Sequence, residues 1–156
     1  MPLGFVKPER TPASASATDG ARCVRPGDRI CDMHELEDGG RGVRFMLTAA
    51  DGLRTAFVVR HAGQVYGYLN ECAHRALELD WVEGEFFDAH REFLICATHG
   101  ARYDPVSGAC IDGACAGRGL AGLSLEISGD EVRLARDLSV PRRPADRTPD
   151  TASTQK

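Results

Sequence analysis

A mostly β body of about one domain, a small sandwich or barrel, is what this sequence predicts. Three observations carry the prediction. Short runs rich in β-branched and aromatic residues recur through the middle of the chain. Turn formers bound each run, and no window of about a dozen residues carries an i, i+3, i+4 apolar stripe. In chain order the runs are VRFML, TAFVVR, QVYGYL, EFLIC, LSLEI and EVRLA, punctuated by DG, HAG, PVSG and SGD. SGDE between LSLEI and VRLA has the form of a hairpin, as does AGQ between VVRH and VYGYL, so the strands are expected to pair antiparallel.

Both ends differ from this body. Half of the first 20 residues are Pro, Ala, Ser or Thr, with few large apolar side chains to offset the entropy of ordering. The segment PRRPADRTPDTASTQK after Val140 is alike. The sequence therefore predicts a flexible N-terminal tail over 1–21, a folded domain over 22–138 and a flexible C-terminal tail over 139–156. There is no internal repeat.

Composition excludes several classes of function. A 42% hydrophobic and 27% charged chain of 156 residues is ordinary for a soluble globular protein. A net charge of −4 gives no reason to expect nucleic acid or an anionic membrane surface. No apolar run approaches the roughly 18 residues of a membrane span. The N-terminus shows neither an apolar signal core nor twin arginines, so a cytoplasmic location is expected. In that setting six cysteines point to metal binding, catalysis or buried thiols ahead of a disulfide scaffold. The sequence carries no sign of oligomeric state.

Two pairs of chemistry-bearing residues stand out. Cys72 and His74 follow the strand QVYGYLN, and Cys96 and His99, in CATHGARYD, follow EFLIC. Loops at strand ends can be held against each other by a rigid sheet. Two thiolates and two imidazoles could bind zinc tetrahedrally, or a 2Fe–2S cluster in which two His replace two Cys on one iron. Gly100 after His99 permits a tight turn, Tyr103 and Asp104 follow, and a Gly-rich third loop from Gly113 to Gly122 could cover the site.

With these residues in view the chain resembles a Rieske 2Fe–2S protein, whose cluster loops read C-x-H and C-x-x-H. The resemblance runs over about residues 28–136. RICDMHELEDGG is similar to the family's opening strand and GDEVRL to its last. It implies a Rieske-like antiparallel β-sandwich with a small cluster-binding subdomain made of two loops. It also implies one 2Fe–2S cluster, with Cys72 and Cys96 on one iron and His74 and His99 on the other. Gly100, Ala101 and Tyr103 would surround it. The 21 residues between His74 and Cys96 exceed the spacing of compact members, and the excess around WVEGEFFDAHREF is expected to form an added hairpin.

The departures from the family pattern are also informative. Leu77 and Thr98 stand where members from respiratory cytochrome bc complexes carry two further, disulfide-linked cysteines. Ala101 replaces a serine whose hydroxyl bonds a cluster sulfur, whereas Tyr103 remains where a tyrosine can bond a cysteine sulfur. Fewer bonds to sulfur imply a lower potential. The resemblance is accordingly to the soluble ferredoxin or oxygenase type, and His74-Arg75 is similar to the Cys-x-His-Arg of aromatic-ring oxygenases.

Plainer readings apply to other residues. Cys110 and Cys115 are expected as small uncharged thiols packed near the cluster, with a redox pair or a further metal site as alternatives. Cys23 and Cys31 are expected as unpaired thiols. His34, His61 and His90 are expected to be solvated near turns, and Trp81 to anchor the long insertion by packing. The acids Glu78, Asp80, Glu83, Glu85, Asp88 and Glu92 are expected on a solvated hairpin, with a docking face for a basic redox partner as the weaker alternative. No nucleophile, general base or substrate pocket is recognisable, so an enzyme acting alone is not expected. The implied function is a one-electron carrier passing electrons between a reductase and an oxygenase or other redox enzyme. The alternatives are a redox-sensing or structural accessory module and, behind these, a zinc-binding domain.

Overall fold

The computed structural model describes residues 22–73, 77–113, 115 and 117–136. Both expected tails, His74 and the last two residues of the expected domain lie outside the described residues. The described chain is built of strands: β1 (Cys23–Val24), β2 (Arg29–Asp32), β3 (Val43–Ala49), β4 (Gly52–His61), β5 (Gln64–Leu69), β6 (Leu94–Ile95), β7 (Arg102–Tyr103), β8 (Cys110–Asp112), β9 (Gly122–Leu123), β10 (Leu125–Ser128) and β11 (Glu131–Leu134). A 3-10 turn at Met33–Glu35 follows β2.

Strands β1-β3-β4-β5-β9 make one sheet, β10-β11-β2 a second and β6-β7-β8 a third. The expected antiparallel sandwich is present in the first two sheets, and the small third sheet carries a separate loop-bearing subdomain. The expected hairpins at HAG and SGD join β4 to β5 and β10 to β11. Pairing between these strands is antiparallel except that β1 runs parallel to β3, with Cys23 opposite Met46. A two-residue strand carries too little pattern for a sequence to reveal that pairing. An isolated parallel bridge also joins Asp38 to Arg60.

Strand β4 explains how the two cores are joined. TAFVVR lacks polar alternation because both faces of its strand are buried. Ala56 and Val58 face a core shared with Phe45, Leu47, Leu69, Val132 and Leu134. Phe57 and Val59 face a second core that contains Cys72, Cys96, Tyr103 and Cys115. The period of two along one strand thus links the sandwich core to the core under the loops.

The long insertion forms the expected hairpin only in a short form. Phe87 and Leu94 bridge antiparallel, the Asp88 N–H donates to the Phe93 carbonyl and the Ile95 N–H to the Phe86 carbonyl, both at 2.8 Å, and the rest is turns and bends. Trp81 does not anchor it, being 75% exposed. Phe86 is the anchor: it is fully buried and stacks on Phe57 with ring centroids 3.8 Å apart. A flat aromatic fits against the β4 face, whereas Trp81 lies on the outer side of the turn.

Candidate metal centre

The first loop begins where β5 ends, and buried polar groups hold it there. Asn70 donates to the Asp80 carboxylate at 2.9 Å and accepts from the Leu79 N–H at 2.8 Å. Asp80 also accepts from the Gly84 N–H at 3.0 Å and lies 3.5 Å from the Arg44 guanidinium. One residue before Cys72, Glu71 receives a two-pronged contact from buried Arg54, at 3.0 and 2.6 Å. The Cys72 N–H then donates to the Leu77 carbonyl at 2.8 Å. Sequence reasoning overlooked Arg54, Asn70 and Glu71. Their visible trace is a charged residue heading an apolar strand and a polar pair closing the next.

The second loop is the tip of the β6–β7 hairpin. Leu94 pairs with Tyr103 and Ile95 with Arg102, and the Cys96 N–H donates to the Ala101 carbonyl at 2.8 Å. The Gly100 N–H donates to the Cys96 carbonyl, also at 2.8 Å, with Gly100 at φ +73°. A Cβ there would meet nothing within 4 Å, so the left-handed backbone, and not crowding, favours glycine. The Ala97 N–H donates to the Leu79 carbonyl at 2.8 Å, which ties this loop to the segment that follows the first.

Cys72 and Cys96 are thereby brought together in one buried cluster, with Ala101 beside them. Burial raises the Cys96 pKa, the neighbouring Cys72 thiol adds to the rise, and the backbone N–H groups of Thr98 and His99 oppose it by favouring thiolate. The Tyr103 hydroxyl lies 3.1 Å from Cys72 Sγ and accepts from the Ala73 N–H at 3.0 Å. Burial first, and then the Cys72 contact, push its pKa upward, so the phenol keeps its proton. His99 is exposed at the loop tip, while His74 lies outside the described residues.

The third loop covers the other two. Arg118 donates to the Ala73 carbonyl at 3.5 Å. Gly113 lies so close to the second loop that an added Cβ would come within 2.9 Å of Ala101 Cα. Cys110 in β8 and Cys115 in this loop are joined in a disulfide. This corrects the expectation of two separate thiols, because the turn after β8 brings together cysteines that are far apart in an extended strand. Cys23 and Cys31 are free, as expected, and burial pushes the Cys31 thiol up to about 12.

The remaining polar expectations divide. His34 and His90 are exposed, but His61 is half-buried and stacks on Phe87 with centroids 5.9 Å apart. Asp80 is buried and not solvated. Glu78 pairs with Arg44 at 2.8 Å and Glu85 with Arg41 at 3.3 Å, and Asp88 accepts from the N–H groups of Glu92 and Phe93. Much of this acidic stretch therefore pins the insertion in place.

The residues present fit a 2Fe–2S cluster held by two thiolates and two imidazoles: Cys72 and Cys96 are buried in one core, and His99 is exposed at the loop tip.

Comparison with known proteins agrees with this geometry. The family model described as the Rieske 2Fe-2S domain matches residues 28–133. No curated protein matches the chain. Among solved structures, the ferredoxin of carbazole 1,9a-dioxygenase from Nocardioides aromaticivorans IC177 is similar, with 25% identity and a TM-score of 0.55 over 70% of this chain and 97% of that one. The Sphingomonas yanoikuyae B1 ferredoxin has 20% identity and a TM-score of 0.53 over 70% and 97%. The terminal oxygenase of carbazole 1,9a-dioxygenase from N. aromaticivorans IC177 has 20% identity and a TM-score of 0.57, over 83% of this chain and 34% of its own. The buried cysteine pair, the tyrosine on its sulfur and the extent of the family match make the chain a member of the Rieske 2Fe-2S family, whose cofactor is a 2Fe–2S cluster.

Proposed function

We propose that this protein is a one-electron carrier in which Cys72, His74, Cys96 and His99 hold one 2Fe–2S cluster. The observation that carries the reading is the buried Cys72–Cys96 pair with the Tyr103 hydroxyl on one sulfur. The cluster supplies a one-electron couple between a diferric and a ferric–ferrous state. The chain's own residues do the rest. Cys72 and Cys96 sit in an apolar core that excludes water, Tyr103 directs a proton at sulfur, and exposed His99 is the residue that a partner can approach.

Electrons would pass between a reductase and an oxygenase or other redox enzyme in the cytoplasm. The similarity to a dioxygenase ferredoxin supports the exchange with redox partners. Exposed Trp81 and Val82, flanked by Glu78, Glu83 and Glu85 on a segment bonded to both ligand loops, suit a partner with an apolar patch and a basic rim.

The test is analytical. Aerobically purified protein should be red-brown, with about two irons and two acid-labile sulfides per chain. His74→Ala should bleach it, because one iron loses a ligand that thiolate geometry cannot replace. Stoichiometric zinc without sulfide, in protein produced with ample iron, would show the zinc-binding alternative to be correct.

A further inference from the structure

The Cys110–Cys115 disulfide sits where the third loop meets both ligand loops. Cys110 stands opposite Tyr103 in the β7–β8 ladder, and Tyr103 carries the hydroxyl on Cys72 Sγ. Cys115 is fully buried in the same apolar cluster as Cys72, Cys96 and Ala101. On one side of Cys115, Gly113 packs on Ala101; on the other, Arg118 reaches the Ala73 carbonyl. A covalent bond between Cys110 and Cys115 therefore joins the strand that backs Tyr103 to the residue that plugs the core under the cover.

We propose that Cys110 and Cys115 are a second redox site, a thiol–disulfide switch that clamps or frees the cover over the ligand loops. The proposal rests on the cluster reading above and adds a two-electron site beside a one-electron one. Cys110 is half-buried and Cys115 is enclosed, so an attacking thiolate reaches the Cys110 sulfur and the Cys115 sulfur leaves. A dithiol reductant first forms a mixed disulfide with Cys110, and its second thiolate then closes a ring and releases Cys110. Two electrons and two protons pass to the protein pair, and the dithiol becomes a cyclic disulfide. The two uncharged thiols suggested by the sequence are then the reduced state of this pair. In that state only non-covalent contacts hold the cover.

The bond closes a short ring, from Cys110 in β8 to Cys115 five residues on. Its effect is local. Opening it should increase transient lifting of the cover, and with it access of water and chelator to Cys72 and Cys96. The entropy of so short a closure sets the scale at roughly thirtyfold.

The experiment uses the cluster-loaded full chain, air-oxidised or treated with dithiothreitol and then freed of it under anaerobic conditions. Trypsin yields a peptide from Tyr103 to Arg118 that holds both cysteines and no internal Lys or Arg. After acid quench and maleimide capping, its mass should show a disulfide in the first sample and two capped thiols in the second. An iron chelator should bleach the dithiol form roughly thirtyfold faster than the disulfide form. Cys110→Ser should bleach at the fast rate with or without dithiothreitol. Two free thiols in the air-oxidised peptide, a bond that resists dithiothreitol, or equal bleaching of the two verified states would overturn the switch. Protein without acid-labile sulfide would overturn the cluster reading, whereas a loaded cluster indifferent to the pair overturns the switch alone.

Discussion

Tyr103→Phe removes a hydroxyl that takes part in two contacts. Its oxygen accepts from the Ala73 N–H at 3.0 Å, and this directs the phenolic proton to Cys72 Sγ, 3.1 Å away. The side chain is fully buried, so no water replaces the lost donor. A hydrogen bond to a thiolate ligand strengthens as the cluster gains negative charge, and it therefore stabilises the reduced state more than the oxidised one. If that difference is roughly 1–2 kcal/mol, within the range for bonds to charged groups, the potential should fall by about 40–90 mV, since 59 mV is tenfold for one electron. The variant also leaves the Ala73 N–H without its acceptor, which should reduce unfolding stability by about 1–3 kcal/mol. Protein-film voltammetry of wild type and variant at one pH measures the first effect, and urea unfolding the second. The spectrum of the reduced variant checks that the cluster is intact. An unchanged or raised potential with an intact cluster would refute the reasoning, because the hydroxyl would then not be directed at a sulfur that ligates iron.

Two further substitutions probe the surroundings. Ala101→Ser places a hydroxyl in the second loop, where the resemblance to other Rieske proteins aims it at a bridging sulfide, and should raise the potential by roughly 40–90 mV in the same voltammetric assay. Ala101 faces Gly113 closely, so a fall in potential would mean that the hydroxyl turns toward the third loop instead. Arg54→Met breaks the two-pronged contact to Glu71 and leaves a largely buried carboxylate next to Cys72. Stability in urea should fall by about 3 kcal/mol, and adding Glu71→Gln should recover part of it. A loss below about 1 kcal/mol would show that solvent already screens the pair.

The residues that could be read directly are those whose information is local. TAFVVR and QVYGYL announce strands through their composition and turn-forming flanks, and both are strands. Cys72 and Cys96 announce candidate ligands through the spacing to their histidines, and the structure sets the two sulfurs side by side in one core. Tyr103 was legible through the resemblance to the Rieske second loop, and its hydroxyl lies at Cys72 Sγ.

Tertiary packing decided what local pattern could not. Trp81 and Phe86 lie five residues apart in one acidic insertion, and composition favours the larger ring as the anchor. Phe86 is the one that meets Phe57, a residue nearly thirty positions away on β4, and Trp81 is left in solvent. Asp80 reads like its acidic neighbours until Asn70, Gly84 and Arg44 are placed around it. Cys110 and Cys115 read as two thiols until the turn after β8 brings them together. By itself the sequence determined the strand-forming runs, the candidate ligand pairs and the family, because periodicity, punctuation and spacing act within a few residues. The buried acid, the true anchor, the disulfide and the grip on the ligand loops were decided by the tertiary structure alone, because each depends on partners that only folding brings into contact.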